Sequence, residues 1–94
     1  MLPTIEQSEK FKTEVDYFNK KIESITNETI KTELVGLLRK LIHEVKLVDT
    51  QHQELFYGKK LSSTVADNRQ RIVEIRRKIA RRIADWDAAQ RKQQ

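Results

Sequence analysis

The stretch "ETIKTELVGLLRKLIHEVKLVDTQHQELFYG", Glu28 to Gly58, decides the fold. Ile30, Leu34, Leu37, Leu41, Val45, Val48 and Leu55 follow one another mostly at three- and four-residue steps, the spacing of one face of an α-helix. At 100° per residue, Leu38, Ile42, Val35 and Phe56 extend that face to one side, so the stripe is wider than a two-helix seam requires. A helix with such a face touches two neighbours. The spacing predicts a central helix over about 28–57, ended by Gly58, a residue that readily takes the left-handed conformation of a C-terminal cap.

Upstream, Phe11, Val15, Phe18, Ile22 and Ile25 are separated by four, three, four and three residues, the narrow seam of a coiled-coil-like helix. This predicts a first helix over about 4–25, with Pro3 at or just before its first turn and Glu6 and Glu9 at the positive end of its dipole. The seam would continue at Thr29 and Thr32, yet the apolar series resumes at Ile30 and Leu34, one residue out of phase. A break therefore falls across "SITNET", with Thr26 or Asn27 capping the next helix, although a single bent helix is the alternative. Downstream, "GKKLSSTVADN" reads as a loop, and Thr64 with Asp67 forms a capping-box pattern. A third helix over about 64–89 follows, burying Ile72, Ile75, Ile79, Ile83 and Trp86, and "RKQQ" reads as a frayed tail.

Ninety-four residues provide for one domain with one modest core. Charged residues make up 35% of the chain against two glycines and one proline, a composition that favours helices over turns and strands. The expected fold is all-α: an elongated three-helix bundle or helical hairpin with coiled-coil-like packing. Some 16 core side chains at roughly 1.5 to 3 kcal/mol each barely offset the entropy of ordering the chain. A homo-oligomer or a protein partner that covers remaining apolar surface is therefore expected.

Several functions are excluded by what is absent. With no cysteine there are no disulfides, thiolate metal sites or cysteine nucleophiles. The longest apolar run, "LVGLL" from Leu34 to Leu38, is far below the roughly 20 residues of a membrane span, and "MLPTIEQ" lacks the pattern of a signal peptide. The chain thus reads as soluble and intracellular, in the cytoplasm or an equivalent compartment. No glycine-rich loop, G-x-S-x-G or triad order is present. "HEVKL" carries Leu47 where a zinc protease needs its second histidine. His43 points almost opposite His52, so the two cannot share a metal on one helix, and His52 within the apolar stripe reads as a core or bundle-end residue rather than a ligand. No arginine precedes Arg39 to line an anionic cleft from the first helix. Neither catalysis, a cofactor nor a metal is expected.

Charge placement is the informative feature. Residues 1–64 carry ten Lys/Arg and ten Asp/Glu, whereas residues 65–94 carry nine and four, so the whole net charge of +5 lies in the last third. There "RQRIVEIRRKIARRIADWD", Arg69 to Asp87, sets seven basic residues around the isoleucine face. On the helical wheel Arg77, Lys78 and Arg81 lie opposite or nearly opposite the isoleucines, Arg71 and Arg82 flank one edge, and Arg69 and Arg76 flank the other. Asp67 with Arg71, Glu74 with Lys78 and Arg81 with Asp85 are spaced for intrahelical pairs, each worth a few tenths of a kcal/mol. Arg69, Arg76, Arg77 and Arg82 have no equally clear partner within the helix. Seven Arg against two Lys in this third, where the first two thirds hold one Arg and nine Lys, favours bidentate contacts to carboxylate or phosphate.

Two functional expectations follow. The first is a small non-enzymatic assembly or adaptor protein acting through protein–protein contacts and self-association, with Phe56, Tyr57 and Trp86 as candidate interface residues. The second is a nucleic-acid-binding accessory protein that holds DNA, RNA or another polyanion on Arg69, Arg71, Arg76, Arg77, Lys78, Arg81 and Arg82. "ELFYGKK" beside that helix could stack bases while holding phosphates, though the same lysines suit a helix C-terminus. A bZIP arrangement fails because isoleucines and arginines share the same turns, and a helix-turn-helix fails because these helices are long. A membrane-surface or calmodulin-target helix would need the isoleucine face free, whereas the central helix offers it a complementary face in the same chain.

Overall fold

The computed structural model describes the backbone of residues 4–56 and 64–92 and the side chains of residues 4–53 and 67–92. Three α-helices follow in order, α1 (Glu9–Ser24), α2 (Glu28–Phe56) and α3 (Thr64–Lys92), with no strand among the described residues. They pack into an elongated body of 57 × 24 × 17 Å. The two long helices are 29 residues each, about 44 Å, whereas α1 is 16 residues, about 24 Å, and covers one side of the pair along part of its length. Interhelical ion pairs give the directions: Glu33 with Arg82 and Glu44 with Arg71 make α2 and α3 antiparallel, and Glu14 with Arg76 and Lys21 with Asp87 make α1 and α3 parallel.

The start of α1 differs from the sequence expectation. Helix begins at Glu9, not near residue 4, because Ser8 caps it in an extended conformation, its Oγ accepting from the Phe11 amide at 3.1 Å. Residues 5–7 form a turn instead. That turn is held from a distance: the Asp49 carboxylate on α2 accepts the Ile5 amide at 2.8 Å and the Glu6 amide at 3.1 Å. Asp49 is buried, and the clamp brings Ile5 against the core. The break between α1 and α2 is present at residues 25–27, and Asn27 caps α2 through its Oδ1, which accepts the Ile30 amide at 3.1 Å. At its far end α3 runs three residues beyond the expected 89, to Lys92.

A single apolar cluster joins all three helices, with Leu34, Leu41, Val45, Val48 and Ile79 fully buried at its centre and Phe11, Phe18, Ile22, Ile25, Leu38, Ile72 and Ile83 around them. Five residues expected on the buried stripes are only half-buried, Val15, Ile30, Leu37, Ile75 and Trp86, and of these Leu37 on α2 and Ile75 on α3 share one open flank. The physical reason is lateral. Leu37 and Ile75 lie on the edge where the Glu33–Arg82 and Glu44–Arg71 bridges join α2 to α3, whereas α1 packs on the other side of α2, where Val15 and Ile42 line a shared groove. Nothing among the described residues covers the flank of Leu37 and Ile75. Gly58, the loop that follows it, the Thr64 capping box and the side chains of Leu55 and Phe56 lie outside the described residues. Among the described residues no helix is long and apolar enough to cross a membrane.

Candidate functional site

The seven basic residues of α3 divide into groups with different environments. Four lie at the margins of the isoleucine face, where a long guanidinium reaches a neighbouring helix. Arg76 donates from Nε to Glu14 Oε1 of α1 at 2.6 Å, in a pair whose side chains are 34% and 25% exposed. Arg82 donates from Nη2 to Glu33 Oε2 of α2 at 2.5 Å. Arg71 Nε stands 3.4 Å from Glu44 Oε1, and its Nη2 also donates to Asn68 Oδ1. Arg69 Nη2 meets His52 Nε2, and since a guanidinium carries only donors, the half-buried imidazole accepts there. Asn68, itself buried, donates in turn to Gln51 Oε1 at 3.1 Å.

The intrahelical pairs read from the sequence do not form. Arg71 turns to Glu44 rather than Asp67, and neither Glu74 with Lys78 nor Arg81 with Asp85 closes to an ion pair among the described residues. Arg76 and Arg82, without a clear partner in their own helix, find one across the bundle. A fully solvated i,i+4 pair gains little, while a pair at a helix–helix margin is partly shielded and forms stronger charge-assisted hydrogen bonds. The Glu33 hydrogen bond, then its charge, raise the Arg82 guanidinium above its ordinary value against a smaller opposing effect of desolvation, and Asp85 adds the smallest contribution. Arg77, Lys78 and Arg81 remain exposed, with no ion pair among the described residues.

The two bridges between α2 and α3 frame a site. Glu33 and Glu44 are eleven residues apart on α2, as are Arg71 and Arg82 on α3, so each pair of residues returns to nearly the same face about 16 Å along its helix. On the same flank, between the bridges, lies an open groove of about 600 Å³. Leu37 and Ile75 form its apolar part, and Lys40 and Lys78 add cations that form no ion pair among the described residues. Arg39 and His43 extend the lining along α2, and Glu74 adds a carboxylate from α3. The flank lies on the edge of Arg71 and Arg82, opposite the one that Arg76 uses to bind α1.

The candidate interface residues separate as well. Trp86 is half-buried against the core, next to Asp87, whose Oδ2 accepts from Lys21 Nζ at 3.2 Å. The Phe56 side chain and Tyr57 lie outside the described residues. His43 is exposed and His52 half-buried, and among the described residues no group of three or more His, Asp or Glu is arranged to hold a metal ion. Asp49 and the Leu37–Ile75 groove are the features that sequence reasoning did not single out. The only sequence signal for the groove is the 4-3-4 spacing of Glu33, Leu37, Lys40 and Glu44 and of Arg71, Ile75, Lys78 and Arg82. Comparison with protein families, with curated proteins and with solved structures finds no match to this chain.

Proposed function

We propose that this protein is a non-enzymatic helical adaptor that acts through protein–protein contacts. The observation that carries the reading is the flank opposite α1, where half-buried Leu37 and Ile75 line an open groove that no described part of the chain covers. Apolar residues at helical spacing, rimmed by charge, suit a packed partner better than a small substrate. The engagement of Arg69, Arg71, Arg76 and Arg82 between helices at the margins of the bundle supports the same reading, because guanidiniums paired to neighbouring helices are less free to grip phosphate. Self-association is part of the proposal, and light scattering across a concentration series tests it independently.

A second reading has one specific observation behind it. Arg77 and Arg81 are exposed on the outer face of α3 without an ion pair among the described residues, which favours a polyanion such as DNA or RNA on that face. Site-specific photo-crosslinking in the expressing cell separates the two. A photoreactive side chain at position 75 should give protein adducts of discrete mass, and the same group at position 81 should give none. Nucleic-acid adducts at position 81, with no protein adducts at 75, would reverse the choice.

A further inference from the structure

We infer that the α2/α3 flank opposite α1 is a docking site for an acidic amphipathic helix of a partner protein, an inference that rests on the protein-contact reading above. The occupant is helical because the flank itself repeats as a helix seam. Glu33, Leu37, Lys40 and Glu44 follow one another at four, three and four residues, and Arg71, Ile75, Lys78 and Arg82 repeat that spacing on the antiparallel helix. Leu47, an exposed leucine, continues the α2 row three residues on. Rows of this spacing form the holes into which a neighbouring helix sets its side chains. With α1 on one side of the hairpin, an added helix on the other would complete a four-helix arrangement.

Charge selects the occupant. Within the frame, Glu33 is bridged to Arg82 and Glu44 to Arg71, so the cations left over are Lys40 and Lys78, with Arg39 at the edge of the groove. Glu74 is the one carboxylate of the lining outside the bridges. A partner helix with an apolar residue over Leu37 and Ile75 and carboxylates at flanking three- or four-residue positions would meet all of these groups. A second copy of the same flank fits poorly, since a two-fold contact would set Lys40 and Lys78 against one another. A phosphate backbone fits poorly too, because the groove centres on apolar side chains and carries Glu44 and Glu74 beside its cations.

The test is an amide chemical-shift titration of the full chain with a soluble Leu/Ala/Glu amphipathic peptide of about 18 residues, long enough to hold helix. A scrambled peptide of the same composition and a single-stranded DNA oligomer serve as separate probes. The expected result is shifts centred on residues 37–47 and 71–78 with the amphipathic peptide and not with its scrambled form. Lys40→Glu/Lys78→Glu, both at exposed positions, should weaken that binding about tenfold or more while leaving the remaining spectrum folded. Peptide shifts on the α1 face, around Lys12 and Tyr17, would overturn the site and leave the protein-contact reading standing. No peptide shifts anywhere, together with DNA-induced shifts around Arg77 and Arg81, would overturn both.

Discussion

Arg76 Nε lies 2.6 Å from Glu14 Oε1, joining the third helix to the first across 62 residues of sequence. This contact gives an arginine with no partner in its own helix a structural task. It predicts a measurable coupling between the two residues. Arg76→Ala and Glu14→Ala should each lower stability by about 0.5 to 1.5 kcal/mol, and the double variant should cost less than the sum by about 0.5 to 1 kcal/mol. Urea unfolding of the four chains measures the cycle, and strict additivity would mean that the bridge does not hold α1 in place.

Ile79 and Ile75 are one helical turn apart on α3, yet Ile79 is fully buried and Ile75 half-buried on the open flank. Ile79→Ala should cost about 2 to 5 kcal/mol, the range for a large-to-small change in a packed core. Ile75→Ala should cost about half as much or less, because part of its surface is already in water. Equal losses in thermal or urea unfolding would mean that another copy of the chain covers the flank in solution.

Asp49 accepts two backbone amides from a turn 43 and 44 residues away. Asn at this position keeps one acceptor oxygen and replaces the other with a donor, so Asp49→Asn should free one of the two amides and weaken the bond that remains. Hydrogen exchange at Ile5 and Glu6 should accelerate, with a stability loss of about 1 to 3 kcal/mol. Unchanged exchange at both amides would sink the clamp.

Gly36 lies in the middle of α2, and a Cβ built there meets nothing within 4 Å. Alanine would lower the backbone entropy of the unfolded chain without a clash in the folded one. Gly36→Ala should therefore stabilise the protein by about 0.5 to 1 kcal/mol, read as a rise in the midpoint of thermal unfolding.

Much of the fold was legible because periodicity reports it directly. The phase slip between Ile25 and Ile30 located the break, and of the two caps expected there, Thr26 and Asn27, it is Asn27 that caps α2. The 3-4 rows of α1, α2 and α3 identified most of the core, while Val15, Ile30 and Trp86 at its margins and Leu37 and Ile75 on the open flank are only half-buried. Their exposure depends on which side α1 occupies, and a wheel of α2 alone does not say that. Arginine partners were hidden for the same reason. Glu33 reaches Arg82 and Glu44 reaches Arg71 only after the register of the antiparallel pair is fixed. Thr4 and Ser8 are both chemically suited to cap a helix, and the choice falls on Ser8 because Asp49 holds residues 5 and 6 in a turn.

Four arginines of α3 pair with neighbouring helices, and we propose that protein contacts, not phosphates, occupy the bundle's surface. The most direct test is binding to labelled single- and double-stranded DNA and RNA at about 50 and 200 mM salt, with Arg77→Glu/Arg81→Glu as control. The expected result is no appreciable binding at the higher salt and little difference between the chain and its double variant. Tight binding at the lower salt that falls on the order of 100-fold at the higher, and is lost in the double variant, would contradict it and assign the outer face of α3 to a nucleic acid.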